Sequence, residues 1–147
     1  MHVFAAAGAA SLIAVLWFDL MFDVQAGRPG AILAPAVLTS ISAYYRRVTI
    51  EASPMGHAVS LVMLVTVAAI VAGWALGQTG WQIAAPSLAA ALLGMGLALG
   101  RTVPTAQRLG RAADPPEVMT KLARQTLLDH RISLAAMTTV LILQLVG

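Results

Sequence analysis

The chain has 147 residues, of which 59% are apolar and 10% charged, with a mean hydropathy of +0.84. Soluble domains are about 45–50% apolar and about 25% charged, so an ordinary soluble domain is excluded. A disordered chain is excluded by the same apolar content. The net charge of +3 fits the loops of a membrane protein, and no basic surface interleaved with aromatics suggests a nucleic-acid partner.

Residues 3–22 form the first apolar run and meet the length of about 20 residues that a span needs. Nothing basic precedes the run and no small-residue cleavage site follows it, so a span is expected rather than a signal peptide. Asp19 stands near its end and Asp23 just beyond.

Residues 31–45 are apolar but short. At about 1.5 Å per residue they reach roughly 22 Å, against a hydrocarbon core of about 30 Å. They contain Pro35 and end in Tyr44-Tyr45-Arg46-Arg47. Leu33, Val37, Ile41, Tyr44 and Val48 fall on one helical face. The segment reads as an interfacial or re-entrant amphipathic helix, with a fifth span as the alternative.

Residues 55–77 and 82–100 are the second and third spans, joined by a tight turn. The fourth covers 132–146, extended to 128–146 by the residues before it. Asp114-Pro115-Pro116-Glu117 gives its helix a start, with Asp114 as the expected N-cap and proline at the first helical position. One helix from there to residue 146 is compatible with the absence of Gly and Pro in between. The expected fold is all-α: an integral membrane four-helix bundle in a single domain, 1–147, with the amphipathic helix between spans one and two.

All nine basic residues fall in two segments, 24–54 and 101–131. With four spans both segments lie on one side. The positive-inside rule puts them in the cytoplasm and both termini outside, as in a multi-pass protein of a bacterial-type inner membrane. Trp17, Phe18, Phe22, Tyr44 and Tyr45 would form an inner aromatic belt, and Phe4, Trp74 and Trp81 an outer one.

Polar groups gather at the inner level. Asp19 and Asp23, at i and i+4, share a face. His57 stands near the inner end of the second span, Arg101 after the third, and Asp129-His130-Arg131 at the fourth. Three readings compete. In one, the acids pair with arginines and anchor the interface. In another, Asp19, Asp23, His57 and His130 hold a metal or haem, although the sequence names no cofactor and lacks H-x-x-x-H or E-x-x-H spacing. In the third, a metal-free site takes a lipophilic substrate. There Asp19 and His130 handle protons, Arg101 holds an anionic group, and Asp23, His57 and Tyr44 contact the ligand. Gly96 and Gly100, like Gly73 and Gly77, form G-x-x-x-G. This spacing suits close helix packing or, near the depth of His57, room for a flat ligand.

The layout resembles a family of small four-helix membrane proteins that includes anthrone-oxygenase-like proteins. The features are a long first inner loop, a tight second connection, the stretch from Arg101 through Pro104 to Leu109, and a polar helix ending Asp129-His130-Arg131. Pro104, Leu109 and His130 carry the likeness. Ala106 stands where that family has asparagine, and Ser133 where it has arginine. The resemblance implies the four-helix fold over most of the chain and an oxidative activity.

Three functions follow. The first is a binding or catalytic site for a lipophilic small molecule at the cytoplasmic interface. The second is a structural or assembly partner of a larger complex, using the amphipathic stretch 117–128. The third is an oligomeric transporter or channel subunit. Membrane lipid is a partner in all three, and a homo-oligomer is compatible with each.

Overall fold

A computed structural model describes residues 1–51 and 53–147. Those residues are all-helical, without a strand. Helix α1 covers His2–Asp23 and tightens into a 3-10 turn, Val24–Gly27. Helix α2 covers Pro35–Arg46 and widens into a π-turn, Arg47–Glu51. Helix α3 spans Ser53–Ala75 and α4 spans Trp81–Leu97. A π-turn at Ala98–Thr102 leads from α4 into α5, Val103–Arg111, and α6 runs Pro116–Val146.

Four helices are long and apolar enough to cross a membrane: His2–Gly27, Met55–Ala75, Trp81–Arg111 and Pro116–Val146. Their outward faces carry large apolar side chains. Trp17, Leu61, Leu64 and Leu145 are each more than half exposed, as lipid-facing residues are and water-facing ones seldom are in such number. The inward faces carry small residues. Ala5 and Ala9 of α1 are buried, and a Cβ added to Gly8 would overlap the Thr66 hydroxyl of α3. Small side chains let membrane helices approach closely where no water is available to drive them together.

Helix α6 packs along α1 and α4, while α3 packs on α1 and α4. Its 31 residues rise about 46 Å, roughly half again the thickness of a hydrocarbon core. Two apolar clusters divide this length. One joins α1, α3 and α4 to the second half of α6, around Ala9, Ile70, Ala91 and Val140. The other joins α2 and α5 to the first half of α6, around Ile41, Tyr45, Leu109 and Ala123. Within α6 the stretch between the clusters holds Asp129, His130 and Ser133, all buried. That seam is where the polar side chains collect.

Three local expectations change. Helix α2 begins at Pro35, so the proline sits in the first turn, where its missing N–H costs nothing. Leu33, Val37 and Ile41 of the expected face are buried, and Tyr45 is more deeply buried than Tyr44. Helix α6 is capped at Pro115 without a side-chain hydrogen bond. Asp114 instead accepts two bonds from Arg108, at 2.6 and 2.7 Å, which holds its carboxyl below the usual carboxylate range. The charge-assisted fork outweighs a single capping bond. The two glycine motifs also part ways. Gly73 is buried at the N-terminus of α1, where an added Cβ would lie 3.1 Å from Met1 Cβ. Gly77 adopts φ +68° in the turn after α3. Gly96 and Gly100 meet nothing within 4 Å of an added Cβ, so the close packing expected of them is not formed. The glycine of α4 that does make contact is Gly94, whose Cβ would lie 3.1 Å from Met137 Cε.

Candidate functional site

The site begins with the two acids of α1. Four residues apart, they project from one face, and the adjacent tyrosines of α2 meet them one each. The Tyr44 hydroxyl donates to Asp19 Oδ1 at 2.6 Å, and the Tyr45 hydroxyl donates to Asp23 Oδ1 at 2.6 Å. Phe22 stacks on Tyr44 at a centroid distance of 4.0 Å, and Tyr44 meets Tyr45 edge-on at 5.3 Å. Burial, then the neighbouring Asp19 carboxylate, pushes the Tyr44 phenol well above its ordinary value. Burial, then Asp23, does the same for Tyr45.

Helix α6 closes the arrangement. His130 Nδ1 lies 2.6 Å from Asp23 Oδ2, so Asp23 is held by a tyrosine on one oxygen and an imidazole on the other. The opposite ring nitrogen, Nε2, faces Asp19 Oδ2 at 3.7 Å, beyond hydrogen-bonding distance. One residue earlier, the fully buried Asp129 is forked by Arg101, whose Nε donates at 2.8 Å and whose second nitrogen reaches Oδ1. The Thr102 hydroxyl stands 3.4 Å from the same carboxylate. The π-turn at Ala98–Thr102 places Arg101 and Thr102 beside Asp129.

Beside this network lies a cavity of about 180 Å³ between α1, α3, α4 and α6. Its walls are mostly apolar and include Leu12, Leu16, Val59, Met63 and Met137. Its polar residues include Asp19, Tyr45, Thr102, His130 and Ser133.

Of the residues singled out from sequence, Asp19 and His130 line this cavity. Asp23 and Tyr44 stand directly behind them, each bonded to one of the network's members. Arg101 does not line it. Its guanidinium is committed to Asp129 and its side chain is 43% exposed, so it does not offer the cavity an anion-binding fork. His57 is exposed on α3 and is not among the lining residues, and neither are Gly96 and Gly100. Asp19, Asp23, His57 and His130 therefore do not assemble as one ligand set. Among the described residues no group of three or more His, Cys, Asp or Glu side chains is disposed to hold a metal ion.

Tyr45, Thr102 and Asp129 belong to the network without having been placed in the site by sequence reasoning. The signal for Tyr45 was present: two acids at i, i+4 opposite a tyrosine doublet can be paired one to one. Compared with known protein families, curated proteins and solved structures, the chain matches none.

Proposed function

We propose that this small multi-pass membrane protein holds a lipophilic small molecule in the cavity between α1, α3, α4 and α6, with Asp19 and His130 as its proton-handling pair. The observation that carries this reading is the cavity itself: mostly apolar walls that also include two titratable side chains, Asp19 and His130. Ionisable groups at membrane depth are costly and by default functional. The mechanism rests on orientation. A carboxylate on Nδ1 fixes the tautomer and the plane of an imidazole, and Asp23 occupies that position on His130. Nε2 is then presented toward the cavity, where it acts as a general base or acid on a group brought within reach. With Pro104 and Leu109, His130 is also one of the residues on which the resemblance to anthrone-oxygenase-like proteins rests.

In this reading the four spans form one bundle in an inner membrane, α2 lies at the interface, and the site faces the cytoplasmic leaflet. The nine basic residues support the orientation. Because the chain has no cysteine, single-cysteine variants report it directly. A Gln78→Cys protein should react with a membrane-impermeant maleimide from outside, and a Lys121→Cys protein should not.

One of the features behind the assembly-partner reading, the amphipathic stretch 117–128, has a role within the chain itself. The apolar face of the first half of α6, with Met119, Ala123 and Leu127, packs against the chain's own α2 and α5. The small-molecule reading is tested by mass spectrometry of lipophilic molecules that co-purify in nanodiscs. A species enriched over bulk lipid should be lost when Ala98→Phe fills the cavity. Identical profiles for the two proteins would sink the reading.

A further inference from the structure

The polar end of the cavity has an unusual demand. Asp23 accepts the Tyr45 hydroxyl on one oxygen, and, ionised, it accepts a hydrogen bond from the His130 nitrogen 2.6 Å from its other oxygen. In the neutral ring, Nε2 is then a bare acceptor. It faces a second acceptor, Asp19 Oδ2, at 3.7 Å, too far for a direct hydrogen bond, so a small bridging group can engage both. Both atoms belong to residues that line the cavity, and both side chains are largely buried, 8% and 16% exposed.

An oxygen placed about 2.8 Å from each, the usual O–H···O distance, fits this gap. A hydroxyl is both donor and acceptor, so it can engage this pair in either state of the imidazole, and it bridges both atoms when the ring is doubly protonated. If Nε2 is bare, the hydroxyl donates its proton to one acceptor. If the ring is doubly protonated, the hydroxyl oxygen accepts from Nε2–H and donates to Asp19. An ionised carboxylate head offers no donor in either state and brings like charge to Asp19. Arg101, the basic side chain nearest in the network, cannot compensate, because it is committed to Asp129.

Resting on the small-molecule reading above, we infer that the cavity takes an uncharged amphiphile whose head is a hydroxyl, seated between Asp19 Oδ2 and His130 Nε2, and that it discriminates against amphiphiles with an anionic head. The apolar wall from Leu12 to Met137 takes the chain, and the 3.7 Å gap takes the oxygen.

The test uses two photo-probes of equal length, decanol and decanoic acid, each carrying a diazirine on the chain. Each is applied to the full protein in nanodiscs at a pH where the acid is ionised, and labelled peptides are counted by mass spectrometry. The alcohol should label cavity-lining segments of α1 and α3 about tenfold more than the acid, the ratio expected from one hydrogen bond to a charged group. Asp19→Asn, which turns one acceptor into a donor toward Nε2, should reduce that ratio about tenfold, to near unity. Cavity labelling by the acid equal to or above that by the alcohol in wild type overturns the hydroxyl rule while leaving the cavity reading intact. Cavity labelling by both probes that is unchanged in Ala98→Phe overturns the cavity reading and this inference with it. A ratio that persists in Asp19→Asn removes Asp19 from the recognition and overturns the seating described.

Discussion

His130 Nδ1 and Asp23 Oδ2 stand 2.6 Å apart, joining α6 to α1 across 107 positions of sequence. This contact lies at the seam between the two apolar clusters, so it fixes the register of α6 against α1 as well as the plane of the imidazole. Replacing His130 with alanine leaves a fully buried carboxylate oxygen of Asp23 without its partner. The expected loss is about 1.5–3 kcal/mol, the range for hydrogen bonds to charged groups, read by SDS titration of the helical circular dichroism. Adding Asp23→Asn to the His130→Ala protein should recover part of it, because a neutral amide is less costly to bury than a carboxylate. No recovery would mean that His130 stabilises the fold through packing alone.

The chain has two tyrosines, and both donate to buried or half-buried carboxylates. Any phenolate absorbance therefore reports Tyr44 and Tyr45 alone. Burial, then the adjacent carboxylates, raises both phenols. The sign follows from linkage. A group whose folded value is raised contributes stability that is complete below its unfolded value, about 10 for tyrosine, and is lost as pH climbs toward the folded value. The native protein should thus show almost no phenolate at a pH where free tyrosine is half ionised. Its stability should fall above about pH 10, and a Tyr44→Phe/Tyr45→Phe protein should lack that particular fall. Ordinary titration of both phenols in the folded state would show that the two bonds to Asp19 and Asp23 are not made.

Arg101 and Asp129 form an unequal pair: the arginine side chain is 43% exposed and the carboxylate is completely buried. A variant of this half-exposed arginine therefore acts on a buried partner. Arg101→Ala strips Asp129 of its fork and leaves it the longer contact with Thr102, at 3.4 Å. The melting temperature should fall by more than it does for Arg111→Ala, an exposed arginine. Asp129→Asn in the Arg101→Ala background should restore much of the loss, since breaking one side of a buried charge pair costs more than removing both. Equal melting temperatures for Arg101→Ala and Arg111→Ala would show that the fork adds nothing.

The membrane character was legible because it is carried by long, uninterrupted patterns. Residues 3–22 and 55–77 need no partner to read as apolar helices, and His2–Asp23 and Ser53–Ala75 are what form. The level at which polar side chains gather was legible for the same reason, since charge is excluded from everywhere else. What sequence could not supply was azimuth. The sequence sets His57 and His130 at one polar level, yet His57 is exposed on α3 while His130 is buried. A helix with apolar residues all round gives no period from which to tell the two apart. Arg101 was misplaced for a second reason. Sequence shows a cation near a site but does not show which carboxylate claims it, and Asp129 does. Asp114 failed as a cap in the same way, because Arg108 offered it two bonds.

Glycine roles depend on the same missing azimuth, and they give the sharpest contrast for stability. Gly110 of α5 lies against the backbone of α2: an added Cβ would stand 2.8 Å from Arg46 N and 2.9 Å from Tyr45 C. Backbone atoms cannot swing aside as a side-chain tip can, so Gly110→Ala must push α5 from α2. Overpacking of this kind costs about 1–3 kcal/mol. Because Tyr45 is the donor to Asp23, the shift should also bring phenolate absorbance to lower pH. Gly96 is exposed in α4, and an added Cβ there meets nothing within 4 Å. Gly96→Ala should be neutral or stabilise by up to about 1 kcal/mol through lost freedom of the unfolded chain. Denaturant titration of the two proteins side by side decides the matter. A destabilising Gly96→Ala would restore a packing role to the G-x-x-x-G motif, and a harmless Gly110→Ala would mean that α5 does not rest on α2 at Tyr45 and Arg46.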